Sequence, residues 1–322
     1  MIKQISMDTF FCAQESEQAQ EDIIGTAGTA EIYVLVECPP PWTSNALNSK
    51  SIPANLRALA AEIDQTELPV YLFLIYSDRP HAEGYTRCLI FHQKPGFSNG
   101  YSQKEFSVPN ISDVAPALED YLAGKLSYEN TENPYRDILV CTHGSRDKCC
   151  AKYGNVLYRQ ALATVSDLSL DQVRIWQVSH FGGHRYAPTI ADFPEGRYYG
   201  RLDQESFTSI LTKTGDINCL SRVYRGWGIL PWAAQILERE LIIKYGWDWF
   251  SYSVAAQILE QNEDESFNCV QLSFVKPDGV VVYQADIVQD KNHVLYLRGS
   301  CNNKEASETA QYIVKNLARI QH

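Results

Sequence analysis

The run RDILVCTHG, residues 136–144, is a short apolar strand that stops on Cys141. GNVLYRQALATV (154–165) follows with helical spacing, and VRIWQVSH (173–180) is a second strand ending at His180. A strand, a helix and a strand in this order form a crossover unit, and the crossover makes the two strands parallel. Parallel strands aim their carboxyl ends at one sheet edge, where open α/β sheets place ligand sites. Cys141 and His180 are therefore expected on a shared edge, about 5–10 Å apart for nearest or next-nearest strands. The fold class is α/β (α+β).

The preceding part also alternates strand and helix patterns. AEIYVLVE (30–37), PVYLFLIY (69–76) and TRCLIFH (86–92) read as strands, and NLRALAAEI (55–63) as a helix. SDVAPALEDYLAGK (112–125) reads as a helix capped by Ser112 and closed near Gly124. The polar stretch YENTENP (128–134) is the expected linker. This gives an amino-terminal α/β domain over 1–132 and a second domain over 133–322. The second divides into a site-bearing part, 133–215, and an extension, 216–322. In the extension, Pro231 opens a helix that stops at Gly246. A hairpin over 269–288 turns at Pro277-Asp278-Gly279, HVLYLRG is a strand, and 304–320 is expected to close the chain as an amphipathic helix. No fixed-period repeat is visible, and the extension carries no recognisable chemistry.

Several function classes are excluded by composition. The net charge is −11, and residues 1–132 hold 8 basic against 18 acidic side chains, so a nucleic-acid footprint is absent. The apolar runs are too short to cross a bilayer, and the start lacks the basic-then-apolar pattern of a secretory signal. A cytoplasmic chain with no membrane insertion is expected. Nine cysteines, scattered and odd in number, do not form a disulfide framework in such a compartment.

One group of thiols asks for another explanation. CTHGSRDKCCAKYG (141–154) holds Cys141, His143, Cys149 and Cys150, and HFGGH follows with His180 and His184 four apart. Cys-x-His matches half of a Rieske motif, but the second half, Cys-x-x-His, does not occur. The gaps do not suit a zinc finger either, although two cysteines and two histidines suit tetrahedral zinc. A thioredoxin-type Cys-x-x-Cys is missing, and Cys149-Cys150 is a vicinal pair. Two consecutive glycines cost roughly 2 kcal/mol inside a helix, so HFGGH is a loop, with Gly182 and Gly183 allowing close approach or positive φ.

CTHGSRDKCC, HFGGHRYAPT and GRYYGR resemble the sucrase/ferredoxin-like family of thioredoxin-fold iron–sulfur proteins. GTA at 25–27, PPPW and RGWGILPWAAQ fit the same resemblance, which touches most of residues 12–240. It implies a thioredoxin-like carboxy-terminal ferredoxin domain, with an amino-terminal domain that shares the same plan. It also implies a 2Fe–2S cluster held by Cys141, Cys150, His180 and His184. The family's spacing selects Cys150, with Cys149 as the alternative, and His143 is not expected as a ligand because the loop already supplies two cysteines. Arg146 and Asp147 are expected to pair and pin the loop. Arg185, Arg197 and Arg201 are expected to frame the centre, and Pro188 to face it as a cis-proline.

The function expected on these grounds is electron transfer or redox sensing with an unidentified redox partner protein. A stand-alone enzyme is disfavoured, because no nucleophile–base pair can be read and no catalytic residue is named. The alternatives are a thiol–disulfide oxidoreductase using Cys149 and Cys150, and a structural zinc module.

Overall fold

The computed structural model describes residues 10–65, 69–78, 84–125 and 134–320. A short helix α1 (Cys12–Gln18) precedes β1 (Ile32–Glu37), α2 (Ala54–Gln65), β2 (Val70–Tyr76), β3 (Thr86–Gln93), β4 (Tyr101–Val108) and α3 (Val114–Leu122). Then come β5 (Arg136–Cys141), α4 (Asn155–Asp167), β6 (Val173–Val178), β7 (Ile190–Phe193), β8 (Arg197–Tyr199) and α5 (Gln204–Thr212). The chain continues through α6 (Leu220–Val223), β9 (Tyr224–Trp227), α7 (Trp232–Tyr245), β10 (Val254–Gln261), β11 (Phe267–Lys276) and β12 (Gly279–Gln289). It closes with β13 (Leu295–Leu297), β14 (Ser307–Thr309) and β15 (Tyr312–Ile320).

Nine strands form one mixed sheet in the order β4-β3-β1-β2-β6-β5-β7-β8-β9. The expected crossover is present: β5 and β6 are parallel, with Cys141 in register with Val178. The amino-terminal half repeats the plan, with β1 parallel to β2, β3 antiparallel to β1 and β4 antiparallel to β3. In the other half β7 runs antiparallel to β5 and β8 antiparallel to β7. The halves meet where β2 and β6 pair antiparallel through Ile75–Val178 and Tyr76–Gln177. This duplication is one of topology, which explains why no sequence period betrays it.

Burial explains which runs are legible. β1 and β5 are buried along nearly their whole length, and their sequences are unbroken apolar runs. One core packs beneath α2 and α3 with Leu56, Leu59, Val114 and Leu118. A second, on one face of β1 and its neighbours, is aromatic, with Tyr33 edge-on to Phe193 at 4.9 Å between ring centroids.

Three local expectations are corrected. The helix at α3 is preceded by a 3-10 turn whose capping box is made by Asn110 and Asp113, so Ser112 is not the cap. β6 ends at Val178, two residues before His180. Residues 304–320 are not a helix: β15 joins a separate antiparallel sheet, β10-β11-β12-β15, as an edge strand on β12. Its helix-like spacing of Ile313, Val314, Leu317 and Ile320 yields to pairing with β12. The hairpin at 276–279 and the helix after Pro231, stopped at Gly246 with φ +66°, match the expectation. The linker stretch 128–134 lies outside the described residues except at Pro134. No helix among the described residues is long and apolar enough to cross a membrane.

Candidate metal and redox centre

β5 delivers Cys141 to the sheet edge, where its backbone N–H donates to the Thr189 carbonyl (3.1 Å). After the following loop the chain turns helical at Lys148, passes through a π-helical turn at Cys150–Gly154 and enters α4. β6 is followed by Ser179, which is tied to Leu74 of β2 by both its N–H (2.8 Å) and its Oγ (2.9 Å). His180 is thereby held against the end of β5. Its Nδ1 lies 3.7 Å from Cys141 Sγ and 3.7 Å from Cys150 Sγ. These three residues form one group of potential metal donors, with both thiols buried.

His184 stands behind His180, its Nδ1 3.1 Å from His180 Nε2 and its Nε2 against the Gly299 carbonyl. The Gly299 carbonyl fixes the tautomer of His184. A carbonyl accepts only, so His184 Nε2 carries a proton and its Nδ1 accepts from His180 Nε2–H. Burial and the neighbouring His180 ring push the His184 pKa down, which keeps the imidazole neutral.

His143 is spent elsewhere. Its Nδ1 accepts from the His180 N–H (3.1 Å) and its Nε2 faces the Thr43 carbonyl (2.7 Å), so it positions the histidine loop. Gly182 and Gly183 adopt φ of +92° and +77°, as the Gly-Gly dipeptide suggests. At Gly183 space is also limiting, because a Cβ would stand 2.6 Å from the Arg225 guanidinium carbon.

Cys141 holds its thiolate readily, chiefly because the Cys150 thiol donates to it, with His180 helping against burial. Cys150 correspondingly keeps its proton. Sequence reasoning misses Arg225, although it sits at the head of RGWGILPWAAQ. It is buried beneath the histidine loop and donates to Gly182 O (3.3 Å), Thr26 O (2.6 Å) and Thr26 Oγ1 (3.1 Å). No carboxylate pairs with it among the described residues; burial pushes its pKa down, while Tyr186, Tyr198 and then Cys141 push it up.

The remaining expected neighbours sort differently. Asp147 is buried and accepts from the N–H groups of Cys149 (2.8 Å) and Cys301 (2.9 Å), while Arg146 is exposed and forms no ion pair with it. Arg185 pairs with Glu21, and Arg201 donates to Glu21 O (2.7 Å) and Ser16 Oγ (2.6 Å), so both tie down the end of α1. Arg197 is buried with Glu238 and Tyr224 and does not frame the centre. The Ala187–Pro188 bond is cis, next to Thr189, as expected. Cys149 turns away from the centre toward Cys301. The extension, which has no recognisable chemistry in sequence, reaches the site through Gly299. A cavity of about 350 Å³ opens beside the loop, bounded by Thr26, Phe181, Gly183, His184, Arg225 and Gly299.

These features define a mixed α/β protein with a buried thiol–imidazole centre at a sheet edge. The model of the sucrase/ferredoxin-like family matches residues 23–226, and the chain belongs to that family. Cys141, Cys150, His180, His184 and Arg225 fall inside the matched span, whereas Cys12 and Cys301 fall outside. Curated relatives carry the name Altered inheritance of mitochondria protein 32. The protein from Debaryomyces hansenii is 38% identical over 96 residues, which are 28% of this chain and 34% of the relative. That from Meyerozyma guilliermondii is 29% identical over 147 residues, 44% of this chain and 48% of the relative. The matches thus span about a third to a half of those relatives. No solved structure gives a significant match.

Proposed function

We propose that this chain is an electron-transfer or redox-sensing protein that holds a 2Fe–2S cluster through Cys141, Cys150, His180 and His184. The observation that carries this reading is the convergence of two buried sulfurs on His180 Nδ1, with His184 directly behind. The donor chemistry fits: thiolates and neutral imidazoles are established ligands of such clusters. Arg225 supports it further, as a buried cation without a carboxylate partner among the described residues that favours negative charge at Cys141.

A bound cluster would supply one-electron redox chemistry, at about −150 to +300 mV for mixed histidine–cysteine sets against about −400 mV for plant-type four-cysteine sets. The chain's own part is electrostatic and positional. Exchanging two thiolates for two neutral imidazoles removes two negative charges and makes the centre easier to reduce. Arg225 acts in the same direction. Gly299 O accepts from His184 Nε2–H and so favours the protonated outer nitrogen.

The repeated four-strand plan supports reading both halves as thioredoxin-like, 1–132 and 133–322. We infer a non-catalytic carrier that meets a protein redox partner in a reducing compartment, in keeping with the nine free cysteines. The printed name of the relatives refers to mitochondria, which widens that compartment beyond the cytoplasm. The divergent directions of Cys149 and Cys150 count against a vicinal dithiol. Iron and acid-labile sulfide in the anaerobically purified chain, with visible absorption bleached on reduction, test the proposal. A zinc-only protein without visible absorption contradicts it.

A further inference from the structure

Three thiols outside the proposed iron centre meet at one point. Cys12 opens α1, Cys149 lies in the first turn of the helical run leading into α4, and Cys301 lies on the loop between β13 and β14. Their sulfurs form a triangle: Cys12–Cys149 3.6 Å, Cys149–Cys301 3.2 Å and Cys301–Cys12 3.4 Å. Asp147 Oδ1 lies 4.0 Å from Cys12 Sγ, and all four donor groups fall within 4.8 Å of one another. Chain separations of 137, 152 and 289 residues between the cysteines make this a tertiary construction.

Backbone N–H groups and one carboxylate surround the three sulfurs. Cys12 is 1% exposed, Cys149 0% and Asp147 1%, while Cys301 is partly exposed and forms the outer side of the group. The Cys12 N–H donates to Cys301 Sγ (3.3 Å), and the Ala13 N–H donates to Cys149. The Asp147 carboxylate is oriented by the N–H groups of Cys149 and Cys301 and by Ser300 Oγ (2.9 Å). Lys148 and Lys152 lie over the ring of Phe11, beside Cys12, at 5.1 and 3.6 Å.

We propose that Cys12, Cys149, Cys301 and Asp147 form a second metal site, for a thiophilic d10 cation of the zinc(II) class. Tetrahedral zinc–thiolate bonds of about 2.3 Å place sulfurs about 3.8 Å apart, a few tenths of an ångström wider than this triangle. Three thiol protons leave to solvent as three zinc–sulfur bonds form, Asp147 supplies the fourth donor, and no electrons move. The site staples the amino-terminal segment, the loop after β5 and the 298–303 loop together. That last loop also carries the Gly299 carbonyl that holds His184. The inference stands on its own residues and does not depend on the iron reading.

The test uses the full chain, purified without air and supplied with zinc(II), with zinc and iron quantified separately. About one chelator-resistant zinc per chain is expected. The Cys12→Ser/Cys301→Ser double variant loses zinc to background and keeps iron, while Cys141→Ser loses iron and keeps zinc. Zinc X-ray absorption of the unaltered chain reads three sulfurs and one oxygen, independently of whether the variants fold. Zinc at background in the unaltered chain, zinc retained in the folded double variant, a sphere of two sulfurs and two nitrogens, or a disulfide among the three thiols overturns the proposal.

Discussion

Cys149 and Cys150 are consecutive in the chain, yet their sulfurs belong to different neighbourhoods: Cys150 Sγ lies 3.7 Å from His180 Nδ1, whereas Cys149 Sγ lies 3.2 Å from Cys301 Sγ. Successive residues of a helical turn point about 100° apart, so both cannot face the same centre. Cys150→Ser is expected to remove visible absorption and iron, while Cys149→Ser leaves both. Iron analysis of the two variants checks this. Equal loss in both would show that the vicinal pair acts as one unit.

The two loop glycines separate conformation from space. Gly182 has φ +92° and open space where a methyl would stand, whereas Gly183 has φ +77° and the Arg225 guanidinium in the way. Gly182→Ala is expected to cost about 1 kcal/mol of backbone strain and retain iron. Gly183→Ala adds a steric clash, displaces Arg225 or the loop, and lowers iron content more. Thermal unfolding and iron content of the two variants measure the contrast.

Two buried arginines have opposite roles. Arg225→Met leaves the carbonyls of Gly182 and Thr26 without this donor and removes a positive charge near Cys141. The midpoint potential should fall, because the reduced centre loses favourable electrostatics. Arg197→Met instead strands the buried Glu238, with which Arg197 is paired at 2.6 Å, and should cost about 3–5 kcal/mol. The potential should not change. Denaturant unfolding and redox titration of both variants distinguish the two cases.

Asp203 caps α5, accepting from the Ser206 N–H (2.9 Å) and Oγ (2.6 Å), and pairs with Arg222. Partial burial pushes its pKa up, but the Ser206 hydrogen bonds and Arg222 outweigh that and bring it from 3.8 down to about 2. The folded value is depressed, so the contribution is complete above the unfolded value and is lost as pH falls toward 2. Asp203→Ala should cost about 1 kcal/mol near neutral pH. The difference from the unaltered chain should hold from pH 7 to about pH 5 and shrink as pH falls from there toward 2, read by urea unfolding at each pH.

Legibility follows burial and locality. IYVLVE and RDILVC are strands because both faces are covered, and an unbroken apolar run records that. YSQKEFSV, at the sheet margin as β4, alternates too weakly to read as a strand. The final residues carry helix-like spacing, but their conformation is settled by β12, which local pattern cannot contain. Cys141, Cys150 and the Gly-Gly histidines are legible because each pair lies in one short motif. Arg225 is not, since a lone arginine has no pattern. Cys12 and Cys301 are invisible as partners because 289 residues separate them.

Electron paramagnetic resonance of the reduced protein, prepared without air and compared with His180→Cys and His184→Cys, tests the central claim most directly. A Rieske-like signal in the unaltered chain that moves toward all-thiolate g values in each variant is expected. Iron bound with a signal unchanged by either substitution, or no paramagnetic iron–sulfur signal at all, contradicts coordination by the two histidines.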